Sequence, residues 1–192
     1  PRVLAAHMVW PSSEEIDLLV ARDVGVAHCP QSNMKVAAGV APVPAMIEAG
    51  VAVGIGTDGP ASNNDLDLWE EIDTAAKLHK VTALDPTVLP ARQALRMATS
   101  EGARALGMES AIGTLEPGKR ADLIIVKTDG FHLQPHFDPY SLLTYSTKAA
   151  DVEAVIIDGR VVMRNRRILS LDPEPIVAKA REYRDQIAAF DR

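Results

Sequence analysis

The sequence predicts an α/β fold, and two patterns predict it. Three short apolar runs in the first part of the chain are each followed by a helix signal. The runs are continuous rather than alternating, as expected of strands buried on both faces of a parallel sheet. Beyond about residue 108 the chain changes to short strands joined by turns, which predicts a second, smaller β domain. At 192 residues, 47% apolar and 24% charged, it has material for a sizeable core.

The first strand is expected in residues 2–6, Arg-Val-Leu-Ala-Ala, ending at His7. Ser12 and Glu15 have capping-box spacing ahead of Ile16, Leu18, Leu19 and Val20, which predicts a helix there. Gly25-Val26-Ala27 reads as the second strand, ending at His28-Cys29-Pro30, with a polar, Gly-rich loop expected to follow as far as Gly39. A short helix is predicted over residues 42–49, stopped by Gly50. Residues 51–56 form the third buried-type strand, ending at Thr57-Asp58-Gly59. Asp65 is expected to cap a long helix over residues 66–80, with Leu66, Trp69, Ile72, Ala76 and Lys80 on one largely apolar face.

Two short helices are expected over residues 90–97 and 100–106, the second closed by Gly107. A turn at residues 113–119 leads into a strand at 121–126, and strands at 152–157 and 160–163 face each other across Asp158-Gly159, a strong two-residue hairpin signal. A charged helix over residues 173–190 is expected to pack back on one of the domains. The predicted organisation is therefore 1–108 as the end of an α/β domain, 109–171 as part of a small β domain, and 172–192 as a terminal helix.

Several function classes are excluded by composition. A net charge of −6 with no long basic run argues against nucleic-acid binding through a cationic face. No apolar stretch reaches the ~18 residues that span a bilayer. The start, Pro1-Arg2-Val3-Leu4, lacks the order of a signal peptide. A single cysteine, Cys29, allows no internal disulfide and fits a cytoplasmic setting. The chain opens without Met, directly on an apolar run, and is expected to be cut from something longer.

The informative polar residues are positional. His7, His28 and Asp58 each terminate a parallel-type strand, and ligands of α/β folds bind at the carboxyl ends of strands. Asp58, between Thr57 and Gly59, can coordinate a divalent metal and accept a proton from activated water; a turn or cap aspartate is the commoner role of an Asp-Gly pair. His7 reads either as a functional group or as a satisfied, half-buried histidine. His28 fits a structural or supporting role better than metal ligation, because Pro30 turns the chain directly afterwards. His132 and His136 are separated by Pro135 and cannot form a helical ligand pair. His79, beside Lys80, is expected to be solvated, Cys29 to act as a small apolar residue, and Trp10 and Trp69 to be packing residues, with Trp10 close enough to His7 to line a pocket. No phosphate-binding loop, dinucleotide fingerprint or CxxC pair occurs.

Three stretches in order carry a resemblance: Ala5-Ala6-His7-Met8-Val9-Trp10, His28-Cys29-Pro30-Gln31-Ser32-Asn33-Met34-Lys35 and Gly56-Thr57-Asp58-Gly59-Pro60-Ala61-Ser62-Asn63-Asn64. They resemble the metal-dependent amidohydrolase superfamily, in particular its 5-methylthioadenosine/S-adenosylhomocysteine deaminase and chlorohydrolase branch. Residues 113–122 (Gly-Thr-Leu-Glu-Pro-Gly-Lys-Arg-Ala-Asp) and 155–162 (Val-Ile-Ile-Asp-Gly-Arg-Val-Val) resemble the small β domain of that family. The resemblance implies the C-terminal part of a (β/α)8 TIM-type barrel plus part of a β-sandwich, with the three strands as the sixth, seventh and eighth of the barrel. It implies His7 as the histidine that orients the attacking water and stabilises developing charge. It implies Asp58 as both metal ligand and general base, passing a proton to leaving ammonia.

The chain departs from the family pattern in what it lacks. The His-x-His pair of the first strand and the fifth-strand His-x-x-Glu motif do not occur in these residues. A closed barrel needs about 250 residues, and a catalytic metal takes about three protein ligands. The expected function is the carboxyl-terminal part of a zinc enzyme (iron being compatible with the ligand types) that deaminates a purine nucleoside-like small molecule, inactive as this fragment and a homo-oligomer when intact. The alternatives are a chlorohydrolase or guanine deaminase-like enzyme, or a non-catalytic half-barrel that complements another chain. In isolation the three βα units are expected to leave an open sheet edge and an exposed apolar face.

Overall fold

A computed structural model describes residues 3–190. The start of the first predicted strand at Arg2 lies outside them. The α/β part begins with strand β1 (Leu4–Ala6), helix α1 (Ser13–Ala21), strand β2 (Gly25–His28), helices α2 (Pro30–Lys35) and α3 (Val43–Ala49), and strand β3 (Val53–Ile55). Helices α4 (Pro60–Asn63), α5 (Leu68–Ala83), α6 (Ala91–Met97) and α7 (Ser100–Ala105) complete it. The strands form a parallel sheet in the order β1-β2-β3, with Ala5 opposite Val26 and Ala27 opposite Gly54.

The two faces of this sheet are built differently because side chains alternate along each strand. Val26 and Val53 join Ile16 of α1, Val43 and Met46 of α3, Trp69, Ile72, Ala75 and Ala76 of α5, and Ala94 and Met97 of α6 in the main apolar cluster. The opposite face carries Gly25, Ala27 and Gly54, and α7 lies directly against it. A Cβ added to Gly25 would sit 2.0 Å from the Ala105 carbonyl oxygen, and one on Gly54 would sit 3.0 Å from Gly102 Cα. The glycines thus serve close backbone approach. β1 is the exception to the double burial expected of the strands: Val3 and Leu4 are exposed at its open edge.

The second part is a four-stranded antiparallel sheet, β4 (Leu123–Val126), β5 (Val152–Ile157), β6 (Arg160–Arg164) and β7 (Arg167–Ile168), in that order. The predicted hairpin forms at Asp158-Gly159, both left-handed (φ 50° and 75°), which suits a two-residue turn between twisted strands. A second such turn, Asn165-Arg166 (φ 49° and 64°), adds the unpredicted β7 without any glycine. Val152 belongs to the main cluster, with Val126, Val155 and Met163 packed against it, so this sheet leans on the α/β part.

Helix α1 carries the expected capping box, Ser12 with Glu15. Four expectations are corrected. The loop after Pro30 is instead helix α2, because proline at the first helical position suits a helix start. The long helix begins two residues later than expected and is capped by Asp67, whose carboxylate accepts from the Trp69 N–H, while Leu66 is left outside it and exposed. Trp10 is exposed rather than core, its indole N–H donating to the Ala38 carbonyl. The last helix, α9 (Pro173–Phe190; α8, Pro139–Ser141, precedes β5), forms as predicted but does not pack back, since all its residues are exposed.

Candidate active site

The carboxyl ends of β1, β2 and β3 bring His7, α2 and Asp58 together. His7 and Asp58 follow their strands in left-handed conformations (φ 69° and 59°), sparsely populated for residues with a Cβ. The His7 N–H still donates to the Ala27 carbonyl, so the chain leaves the sheet only after that bond. Both side chains are about one-third exposed, and His7 Nε2 lies 3.8 Å from Asp58 Oδ2.

Each member of the pair is anchored by α2. His7 Nδ1 lies 2.9 Å from Asn33 Oδ1. With the amide oxygen as acceptor, the ring proton sits on Nδ1 and Nε2 faces Asp58. Asp58 Oδ2 accepts from the Ser32 hydroxyl at 2.7 Å and the Ser62 hydroxyl at 2.6 Å. These hydroxyls, Ser62 first and Ser32 second, hold the Asp58 carboxyl below the usual carboxylate range, so it is ionised at neutral pH. The Gly59 N–H adds a backbone donor to the same carboxylate.

Behind this pair lies a buried polar layer. Glu71 of α5 is fully buried, accepting from the Gln31 N–H at 3.2 Å and from Asn63 Nδ2 at 2.5 Å, and the same Asn63 amide donates to the Thr57 carbonyl at 2.8 Å. His28 and His79 are both buried, their Nε2 atoms 3.2 Å apart. Burial, reinforced by the neighbouring histidines, pushes His28 down to about 3, and burial, reinforced by Lys80, pushes His79 down to about 4. The pair is therefore neutral, one ring donating to the other. Because His28 Nδ1 is buried without a partner, the less costly tautomer has His28 donating through Nε2, leaving only a bare lone pair unsatisfied.

Of the residues singled out in the sequence, His7 and Asp58 converge. His28 lies behind them as a supporting group. His79 corrects its expected solvation: it belongs to the inward face of α5, whereas neighbouring Lys80 reaches back to the carbonyls of Ala76, Val88 and Leu89. Trp69 and Cys29 are buried as expected, and burial pushes the Cys29 thiol up to about 11, which removes it as a nucleophile. His132 pairs with Asp151 at 3.0 Å in the β part, outside this cluster. Sequence reasoning gave no role to Ser32, Asn33, Ser62, Asn63 or Glu71. The first four lie within the quoted motifs, while Glu71 had as its signal a charge on the same helical face as Ile72, Ala75 and Ala76.

Among the described residues no three His, Cys, Asp or Glu side chains converge to hold a metal. The donor chemistry fits one ligand position: an ionised, partly exposed carboxylate at the mouth of a strand. Among the described residues, no helix is long and apolar enough to cross a membrane.

The model of the amidohydrolase family matches residues 1–162. The chain belongs to the amidohydrolase family. It is 53% identical over 181 residues to a 5-methylthioadenosine/S-adenosylhomocysteine deaminase of Syntrophomonas wolfei, covering 94% of this chain and 42% of that protein. It is also 53% identical over 189 residues to a 5'-deoxyadenosine deaminase of Methanosarcina acetivorans, covering 98% and 43%. Among solved structures, an adenosine deaminase from Xanthomonas campestris with bound zinc superposes at a TM-score of 0.94 with 44% identity, over 98% of this chain and 43% of that one. An atrazine chlorohydrolase from Arthrobacter aurescens complexed with zinc is more distant, at 0.83 and 34% over 93% and 40%. This amidohydrolase chain thus spans about two fifths of the length of the relatives it matches.

Proposed function

We propose that this chain supplies part of the active site of an enzyme that hydrolytically deaminates an adenosine-like nucleoside of the 5-methylthioadenosine or S-adenosylhomocysteine type. In this reading residues 1–108 are the last three βα units of the amidohydrolase barrel, 109–171 part of its β-sandwich, and 172–192 a terminal helix. The observation that carries the proposal is the convergence of His7 and Asp58 from the carboxyl ends of β1 and β3, on either side of β2, with Asp58 braced by two hydroxyls. The names of the relatives at 53% identity support the substrate class, and the zinc in two neighbouring structures supports the metal.

The chemistry of this chain's residues follows from their anchoring. Asp58, kept ionised, accepts a proton from the attacking water and returns it to the departing ammonia. Its bonds to Ser32 and Ser62 hold the carboxylate in place, so that it meets the water without a search through rotamers. His7, held through Nδ1, presents Nε2 as an acceptor to the same water and so orients it for attack. Asp58 is the residue of this chain that would hold zinc, with iron as the alternative, and the remaining ligands come from residues outside it. The ion, when bound, supplies Lewis acidity that brings a water's pKa to about 7.

The test is to purify the polypeptide at the length of its relatives with zinc and to follow loss of the purine amino group from 5-methylthioadenosine, S-adenosylhomocysteine and 5'-deoxyadenosine. Ammonia release from at least one is expected. No release from any, with chloride release from a chlorotriazine instead, would replace the proposal with the chlorohydrolase reading. Stoichiometric tight zinc in the 192-residue chain alone would contradict its reading as one part of the site.

A further inference from the structure

Glu71 is a carboxylate buried in the fold, and burial raises its pKa. Its carboxylate is fully buried and has no cationic partner among the described residues; its partners are the neutral donors Gln31 N–H and Asn63 Nδ2. An apolar side chain of similar size would avoid the desolvation of a carboxylate but would take the acceptor away from the Gln31 N–H and Asn63 Nδ2, so the acid is tied to the two donors it holds. What Glu71 does have is a connection to three segments around Asp58. Gln31, which donates to Oε2, precedes Ser32, the first hydroxyl donor. Asn63, which donates to Oε1, follows Ser62, the second hydroxyl donor. The other proton of that same amide goes to the Thr57 carbonyl, in the peptide unit that leads into the left-handed Asp58.

We propose that Glu71 is a positioning residue for the candidate active site, a buried clamp that fixes α2, α4 and the Thr57-Asp58 peptide relative to one another and so sets the direction of the Asp58 carboxylate. The proposal rests on the reading of Asp58 as the catalytic carboxylate. Glu71 touches neither substrate nor the reacting atoms. Only a group with two acceptor oxygens fits, because both of its partners are N–H donors. A glutamine must turn its NH2 toward either the Gln31 N–H or the Asn63 amide. If Asn63 flips to accommodate it, the Thr57 carbonyl loses its donor.

The experiment uses the zinc-loaded enzyme at the length of its relatives, with Glu71→Gln, Asn63→Ala and Asp58→Asn compared for kcat, KM, thermal midpoint and the rate of zinc loss to a chelator. Glu71→Gln is expected to lower kcat roughly 10- to 100-fold and to speed zinc loss, as changes behind a ligand do. KM should stay within about twofold, because the interaction is with the reacting geometry rather than with substrate binding. A folded Glu71→Gln enzyme with unchanged kcat and zinc retention, beside an inactive Asp58→Asn, overturns the clamp and leaves the site reading standing. An active Asp58→Asn overturns the site reading itself, and the clamp with it. If Glu71→Gln does not fold, Asn63→Ala decides by the same readouts: lowered kcat with unchanged KM supports the clamp, and unchanged kcat rejects it.

Discussion

The Ser32 hydroxyl, on a helix that follows β2, donates at 2.7 Å to Oδ2 of Asp58, which follows β3. This bond crosses between two βα units and makes the protonation state of one depend on the placement of the other. Ser62 adds a second donor to the same oxygen. The carboxylate is therefore held jointly by two helices, α2 and α4.

Asp58→Asn keeps an oxygen that can accept from both serines, so the local fold should survive while the proton acceptor is lost. Turnover in the full-length enzyme is expected to fall roughly 100- to 10,000-fold, the usual worth of a general base. Steady-state kinetics beside a circular dichroism spectrum check this, and near-normal turnover would reject the assigned role.

His7→Ala removes Nε2 from the site and frees Asn33. The expected result is a steep loss of kcat with little change in KM, measured with the nucleoside that the enzyme turns over fastest. A change confined to KM would mean that His7 binds substrate without acting on the reacting atoms.

The His28–His79 pair makes stability pH-dependent in a stated direction. Both folded-state values, about 3 and about 4, lie below the ordinary 6.5. The unfolded chain therefore binds more protons than the folded one between pH 6.5 and those values, and stability falls as pH falls through that window. Each histidine still neutral in the fold costs about 1.4 kcal/mol per pH unit there. Urea unfolding from pH 7.0 to 4.5 should show this slope, and His79→Leu should make it shallower even though it lowers stability at pH 7. Parallel slopes for the two proteins would be the contrary result.

Gly25→Ala puts a methyl group into the Ala105 carbonyl, at a separation that neither backbone can absorb without moving. The expected cost is about 3 kcal/mol or more, at or above the upper end of overpacking effects. Gly50 offers a contrast: its Cβ would meet open space, and only its φ of 100° opposes alanine, at about 1–2 kcal/mol. Thermal melting of both variants should rank Gly25→Ala well below Gly50→Ala.

Asp67 caps α5 through the Trp69 N–H and also accepts from the Ala149 N–H at 3.2 Å, next to the β part. Asp67→Ala should cost about 1–2 kcal/mol, typical of a lost cap plus one hydrogen bond, whereas Asp67→Asn should recover most of it. Denaturant midpoints distinguish the two, and equal midpoints for Ala and Asn would remove the cap from the account.

The fold was legible where a signal is local. The apolar runs of β2 and β3, the Ser12–Glu15 box and the Asp158-Gly159 turn all carry their reasons within a few residues. Helix α2 was hidden because it is short and because Ser32 and Asn33 are weak helix formers whose side chains are occupied by distant partners. β7 was hidden because its turn uses Asn165 and Arg166 where a glycine would ordinarily mark left-handed backbone. His79 stands in series with Ile72, Ala75 and Ala76 at helical spacing, so its burial was readable and the adjacent lysine misled. His7 and Asp58 were visible as strand-end residues, but Asn33, Ser62 and Glu71 become meaningful only through contacts between units far apart in sequence, which no periodicity records.

The glycine face of β2 also guards alignment. Shifting that strand by a single residue one way would turn Val26 toward the Ala105 carbonyl, where even a methyl group does not fit, and the other way would put Gly25 in the place of Val26 in the apolar cluster. α7 thus works as a gauge that only one threading of the strand can pass. Since β2 ends at His28 and α2 begins two residues later, the same gauge decides whether Ser32 and Asn33 arrive opposite Asp58 and His7.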